Sequence, residues 1–293
     1  MNDSVCAAIA ACSDALAAER KGEIERLCAI LKKHDINAEL SRYMFSRLPP
    51  FLKDAGAAEK ANALSSFFAD EAISEIFDVS GGDLSAEVIP HLDFEAIASS
   101  KARLWGYSDL TAVINAVFTE TGKRSVLYQV RNILHGGEEV FADAVRGEGS
   151  GLFCPPVEFL SGSEMSGVLV GGNIRCFLKL AGTRFFPKLD GKLLLLESLG
   201  GGVGRIYACL AHLEMLGAFR SVSGVIFGTF TELERELDRD EAVRFLASRV
   251  KGFAPDLPVA RTDRIGHAKD SLAAVIGANY TLSADSKKML LEV

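Results

Sequence analysis

One serine in this chain stands where a hydroxyl could attack an electrophile. It lies in the stretch Gly106-Tyr107-Ser108-Asp109-Leu110-Thr111. The largely apolar residues 102–105 before it suit a short buried strand. After it, Leu110, Val113, Ile114, Val117 and Phe118 recur at the spacing of a helix with one buried stripe, and Gly122 closes the pattern. Ser108 therefore falls at a strand-turn-helix elbow, beside the free N–H groups of a helix start. Ser, Asp and Thr are also ordinary helix N-caps, so residue type alone supports either role. An alcohol is a poor nucleophile at neutral pH and needs a neighbouring base, which directs attention to the histidines. Of the five, His34 ends a helix and complements its dipole, His212 falls on a helix surface, and His91 follows Pro90 in a short connection. His135, at the start of a glycine-rich stretch, and His267, in a loop, both stay open.

The elements that must position this serine alternate strand and helix. Residues 5–12 read as a strand, followed by a helix with the stripe Ile24, Leu27, Cys28 and Leu31, the opening of an α/β unit. A strand over 36–40, a helix over 57–68 and a strand over 72–79 lead into Ser80-Gly81-Gly82-Asp83, and 87–97 mixes Pro90 with helical spacing. The expected fold class is α/β. It comprises an N-terminal doubly wound, mostly parallel sheet domain over 1–134, a linker over 135–166, and a C-terminal mixed β/α domain of the swivelling type over 167–293. The linker assignment rests on Gly136-Gly137, Gly147, Gly149, Gly151, Pro155-Pro156 and Ser161-Gly162-Ser163. In the second half, a strand over 168–170, a Gly171-Gly172-Asn173 turn and a short helix to Leu180 are expected. Strands over 193–196, 222–230, 259–261 and 272–276 follow, with helices over 203–216 and 233–250. Glu197, directly after four leucines, is poised at the rim of a buried sheet. Ligands of such sheets sit at the carboxyl ends of strands, where Gly81, Gly82 and Ser108 fall.

Composition narrows the function classes. With 293 residues and 48% hydrophobic content, the chain can build two real cores. Its net charge of −7, its pI near 5.4 and the lack of any basic block argue against a nucleic-acid partner. The cysteines at 6, 12, 28, 154, 176 and 209 form no C-x-x-C pair and no short-spaced cluster with histidine, so they are expected as reduced thiols. The run Gly200-Gly201-Gly202-Val203-Gly204 lacks the Lys-Ser/Thr of a phosphate loop and reads as a flexible turn before a helix. No H-E-x-x-H set is present, and neither metal nor cofactor is expected. The apolar stretch over 5–12 follows Asp3, has no Lys or Arg before Arg20, and is too short for a bilayer. It is read as a buried strand, and the protein as cytoplasmic with no membrane partner.

Several segments in order resemble the LD-carboxypeptidase family of serine peptidases, which includes cytoplasmic murein tetrapeptide carboxypeptidases and microcin C immunity peptidases. Ile9-Ala10-Ala11-Cys12-Ser13 is similar to the family's opening strand and serine turn. Gly81-Gly82 lies where the family has an Arg-Gly-Gly-Tyr-Gly loop, and the Ser108 stretch is close to its nucleophile motif. Gly171-Gly172-Asn173 with Gly182-Thr183, then Leu194-Leu195-Leu196-Glu197, resembles the run to its catalytic glutamate. Gly266-His267 followed by Ile276-Gly277 resembles its histidine segment.

The resemblance implies Ser108 as nucleophile, His267 as base and Glu197 as the carboxylate that orients it. It also implies an oxyanion hole from Asp109 N–H and the Gly81-Gly82 turn, a small peptide partner and a homodimer. The implied reaction releases the terminal D-alanine from the L-centre of meso-diaminopimelate or lysine in a murein tetrapeptide during peptidoglycan recycling. Cleavage of a peptidyl- or aminoacyl-nucleotide amide is the rival, and a non-catalytic ligand-binding relative is a third reading. The chain departs from the family pattern at Ser80 and Asp83 in place of the loop Arg and Tyr, at Tyr207-Ala208 in place of Asp-Arg, and at Tyr128-Gln129-Val130 in place of His-Gly-Pro. An exopeptidase must also bind a free carboxylate, and Arg103, Arg131, Arg184 and Arg205 are open for that role.

Overall fold

Small apolar side chains at Ala7, Ala8, Ile9 and Ala10 bury the first strand on both faces, which suits the interior of a parallel sheet covered by helices. The computed structural model describes residues 4–46 and 56–292, so positions 1–3, 47–55 and 293 of the expected domains lie outside it. The first half runs β1 (Val5–Ala10), β2 (Leu16–Ala17), α1 (Lys21–Lys33), β3 (Ile36–Leu40), β4 (Phe45–Ser46), α2 (Ala57–Ala69), β5 (Glu75–Asp78), α3 (Phe94–Ser99), β6 (Arg103–Gly106), α4 (Thr111–Thr121), β7 (Ser125–Leu127) and α5 (Glu138–Arg146). The second runs β8 (Glu158–Ser161), β9 (Glu164–Asn173), α6 (Ile174–Leu178), β10 (Leu193–Ser198), α7 (Val203–Met215), α8 (Ala218–Ser221), β11 (Gly224–Phe230), α9 (Thr231–Glu236), α10 (Arg239–Phe253), β12 (Val259–Arg261), β13 (Ala274–Ile276), β14 (Asn279–Ser283) and β15 (Met289–Leu291).

The α/β architecture is as expected from the alternation of elements. A six-stranded sheet has the order β13-β7-β6-β5-β1-β3, with β3, β1, β5, β6 and β7 all parallel. The chain winds outward to β3 and then back across β1 to β5, so the switch point lies at β1. A seven-stranded sheet has the order β15-β14-β9-β10-β11-β12-β8. Its centre β9-β10-β11-β12 is parallel, and β8 and β14 run antiparallel to their neighbours. Four leucines at zero exposure make β10 the strand that the leucine run anticipates. Among the described residues no helix is long and apolar enough to cross a membrane.

Four expectations need correction. The strand expected over 272–276 does form, as Ala274–Ile276, but it leaves its own half and pairs antiparallel with β7, Val275 opposite Val126. Residues 135–166 are not merely a linker, because α5 carries Phe141, Ala142, Ala144 and Val145 into the first core and β8 joins the second sheet. Glycines there end helices rather than disperse the chain: Gly137 and Gly147 flank α5 in the left-handed region. Gly171-Gly172-Asn173 continues β9 instead of turning, and Gly171 pairs with Leu195. Both glycines have positive φ, and a side chain on Gly172 would press into Thr111 of α4 at 2.8 Å. Finally, the helix expected over 233–250 is two helices, broken at Asp238, whose side chain caps α10 by accepting from Glu241 N–H at 3.0 Å.

Phe141 shows how far α5 belongs to the first core. Its ring lies 5.5 Å from Phe77, 5.3 Å from Trp105 and 6.0 Å from Tyr128. Truncation of this buried ring should leave a cavity that costs about 3–5 kcal/mol. Phe141→Ala is therefore expected to lower the urea-unfolding free energy by that amount, and a loss below about 1 kcal/mol would remove α5 from the core.

Candidate active site

Ser108 occupies the elbow between β6 and α4, with φ of +54°, a left-handed value that a non-glycine residue holds only against local strain of about 1–3 kcal/mol. Packing imposes it. A side chain at Gly106 would lie 2.7 Å from Leu110 Cβ, so the turn can close only over a glycine. The helix that follows is fixed to the second sheet by a buried amide pair: Asn115 Nδ2 donates to Gly171 O at 2.8 Å, and Gly171 N–H donates to Asn115 Oδ1 at 3.0 Å. Asn173 N–H adds a bond to Thr111 Oγ1 at 3.0 Å. Thus the serine of one half is registered against the β9 and β10 termini of the other.

Glu197 emerges at the carboxyl end of β10 with no exposed surface. Its Oε1 accepts from Asn173 Nδ2 at 3.0 Å, and its Oε2 accepts from the Tyr107 hydroxyl at 3.0 Å and faces His267 Nδ1 at 2.8 Å. A carboxylate can only accept, so the proton of this contact resides on Nδ1, and Nε2 turns its lone pair to the Ser108 hydroxyl 3.1 Å away. The geometry thus links hydroxyl, imidazole and carboxylate in one unbroken chain. Tyr107 also packs edge-on against the imidazole, with ring centroids 4.9 Å apart. Burial first, then the Glu197 charge and hydrogen bond, push the Tyr107 phenol well above its ordinary range, so it stays a donor. The His267 loop is held in place by Thr229 N–H to Ile265 O at 2.9 Å and Ser271 Oγ to Gly266 O at 2.7 Å. Glycine at 228 leaves room for Glu197, whose Cβ would lie 2.9 Å from any side chain there.

The other expected residues gather around this chain of contacts. Gly81, Gly82, Tyr107, Ser108, Gln129, Arg131, Asn132, Leu199, Gly266 and His267 line one cleft of about 310 Å³. Gly82, at φ +127°, runs so close to Asp14 that a side chain would overlap its carboxylate. Buried Asp78 anchors this turn to the β1 loop, accepting from Cys12 N–H at 2.7 Å and from Ser80 N–H at 2.8 Å. Asp109 points its side chain away from the cleft into a buried network. Its carboxylate accepts from Ser13 Oγ at 2.6 Å, from Ser85 N–H at 2.8 Å and from Lys179 Nζ at 2.5 Å. Lys179 also reaches Asp83 O at 2.8 Å, which ties the glycine turn to the serine elbow. Asp109 N–H precedes the first bond of the turn, Leu110 N–H to Tyr107 O at 3.0 Å, and belongs to the helix-start donors without an intrahelical partner.

His135 is exposed at the end of the turn over 130–135 and does not line the cleft. Tyr107 and Asn173 follow glycines at strand ends, and nothing in their residue types marks them in the sequence as partners of Glu197. Lys179 carried no signal of its own. The six cysteines are free thiols, and among the described residues no group of three or more His, Cys, Asp or Glu side chains is arranged around a common metal position.

Residues 7–128 match the LD-carboxypeptidase N-terminal domain, and residues 166–282 match the LD-carboxypeptidase C-terminal domain. The chain belongs to the LD-carboxypeptidase family. A Bacillus subtilis (strain 168) relative named a probable murein peptide carboxypeptidase is 25% identical over 251 residues, covering 80% of this chain and 76% of that protein. The Escherichia coli microcin C7 self-immunity protein MccF is 21% identical over 276 residues, covering 82% of this chain and 79% of that protein. The structure of MccF in complex with glutamyl sulfamoyl guanosine superposes with a TM-score of 0.86 at 16% identity, over 100% of this chain and 97% of the other. Muramoyltetrapeptide carboxypeptidase from Oxalobacter formigenes does so with a TM-score of 0.80 at 20% identity, over 98% of both chains. These two likenesses show the LD-carboxypeptidase fold.

Two expectations follow from the geometry. Tyr107→Phe removes one of three partners from a buried carboxylate, an interaction of about 1.5 kcal/mol or more. The rate at which a fluorophosphonate labels Ser108 should then fall roughly 10-fold, and an unchanged rate would show that Asn173 and His267 suffice. Burial alone would raise the Asp109 carboxyl, but Lys179, Ser13 and the Ser85 N–H outweigh it and hold it below its ordinary value. Its stabilising contribution is complete above the unfolded value near ~3.9 and is lost as pH falls through the lower folded value. The stability gap between the wild type and Asp109→Asn in urea unfolding should accordingly be constant near neutrality and close in strong acid.

Proposed function

We propose that this protein is a metal-independent serine LD-carboxypeptidase that releases the terminal D-alanine from a murein tetrapeptide. The observation that carries the reading is the contact chain from Ser108 Oγ to His267 Nε2 at 3.1 Å and from His267 Nδ1 to Glu197 at 2.8 Å. In this reading Ser108 Oγ attacks the amide carbon of the penultimate residue while His267 Nε2 takes the hydroxyl proton. The tetrahedral oxyanion is held by Asp109 N–H and the Gly81-Gly82 turn, a kind of donor whose loss typically costs ~10²–10³ in turnover. Collapse breaks the C–N bond, and His267 returns its proton to the departing D-alanine amine. Water, deprotonated by the same imidazole, then hydrolyses the serine ester and regenerates the hydroxyl. Glu197 keeps the imidazole in the required tautomer and stabilises the imidazolium. The family resemblance supports action in the cytoplasm, in peptidoglycan recycling, by a homodimer.

A peptidyl-nucleotide substrate is the rival within the family.

Purified protein incubated with murein tetrapeptide is expected to release D-alanine, and Ser108→Ala is expected to reduce this on the order of 10⁴-fold or more. Cleavage of an aminoacyl sulfamoyl-adenosine with no action on tetrapeptide would transfer the assignment to the rival substrate. Absence of both hydrolysis and fluorophosphonate labelling would make the protein a ligand-binding relative.

A further inference from the structure

The cleft holds a cation that the contact chain does not use. Among the described residues Arg131 is the one arginine lining the space around Ser108 and His267. Its side chain is mostly buried, at 17% exposure, so its charge is aimed at a small region rather than spread into solvent. The other arginines open for a carboxylate are engaged or elsewhere. Arg103 forks onto Glu75 with bonds as short as 2.6 Å, Arg184 pairs with Glu120 at 3.5 Å, and Arg205 is exposed on α7.

Gln129 presents Arg131. Its Oε1 accepts from Arg131 N–H at 3.4 Å and from Arg131 Nε at 3.3 Å, so one amide fixes both the turn and the plane of the guanidinium. Nη1 reaches Glu23 at 3.3 Å, but Glu23 is already gripped by Arg20, whose Nε and Nη2 both bond it at 2.8 Å and 2.6 Å. Two guanidinium groups thus share one carboxylate, and Arg131 Nη2 has no hydrogen bond among the described residues. Burial, and then the proximity of Arg20, lower the Arg131 value, with Glu23 and Asp78 only partly opposing them. A planar fork with surplus positive charge and a free donor, set in a cleft beside a nucleophile, fits an incoming carboxylate.

We propose that Arg131, oriented by Gln129, binds the free terminal carboxylate of the substrate and so makes this site an exopeptidase. The inference rests on the peptidase reading above and adds to it the group that sets where the chain end must lie. A peptide that continues past the scissile bond, or ends in an amide, leaves the guanidinium buried without its anion, and is rejected for that reason.

The test compares a tetrapeptide ending in D-alanine with the same peptide ending in D-alaninamide, using the wild type, Arg131→Gln and Arg131→Lys. The wild type is expected to prefer the free acid by roughly 100-fold in kcat/KM. Arg131→Gln should lose about that factor on the acid and almost nothing on the amide, with fluorophosphonate labelling of Ser108 unchanged. Arg131→Lys, which keeps the charge without the fork, should retain part of the preference. Equal cleavage of acid and amide by the wild type, or equal loss on both in Arg131→Gln, overturns the role of Arg131 and leaves the peptidase reading standing. A wild type that cleaves neither peptide overturns both.

Discussion

The carboxylate of Glu197 sits at a point with no solvent exposure. A charge brought there from water loses several kcal/mol of hydration even after the surroundings relax. Three donors stand in for the lost water: Asn173 from the end of β9, Tyr107 from the end of β6, and His267 from the loop after β12. None of the three is near another in sequence, and each comes from a different strand end. The buried charge is tolerable only where all three arrive together, so the convergence of two sheets on one spot is a condition of stability as well as of chemistry. This also explains why the imidazole has one orientation, since the same oxygen that receives Tyr107 fixes the Nδ1 side of the ring.

A second acid, Asp109, repeats the arrangement one residue beyond Ser108. Its side chain faces away from the cleft beside Ser108, toward Ser13, Ser85 and Lys179, and so ties together the loops that follow β1, β5 and β6. The strained φ of Ser108 persists because both neighbours are locked, Tyr107 to Glu197 and Asp109 to Lys179. The elbow is thus pinned from either side, while the hydroxyl between them is half-exposed and available.

The elbow at Ser108 was legible in the sequence because two periodicities meet there, an apolar run and a helical stripe closed by Gly122. The Gly122 N–H does close the helix, onto Phe118 O at 2.8 Å, in the left-handed conformation expected of a terminating glycine. Glu197 and His267 became legible only through family resemblance, since a strand-end acid and a loop histidine carry no period. Tyr107 and Asn173 were hidden for a related reason. Their roles depend on contacts across 90 and 24 residues, and neither residue type marks such a contact locally. The segment 135–166 misled because its glycines resemble those of a connector, although α5 buries four apolar side chains between them. Gly171 and Gly172 in β9 misled in the same way, being required by the close approach of the β10 backbone and of α4, respectively, rather than by a turn.

The strand β13 gives the chain an order of completion. Five strands of the first sheet come from residues before 128, but the flank of β7 is covered only when Ala274–Ile276 returns to it. Domains are made from the amino end during synthesis, at a pace of seconds to tens of seconds for the intervening stretch. Throughout that interval the half that carries Ser108 presents an unpaired β-edge, the kind of surface through which nascent chains join one another. The strand β13 therefore acts as a closing seam, and a ribosome that stalls before it leaves a sheet open beside its own neighbours on the same message.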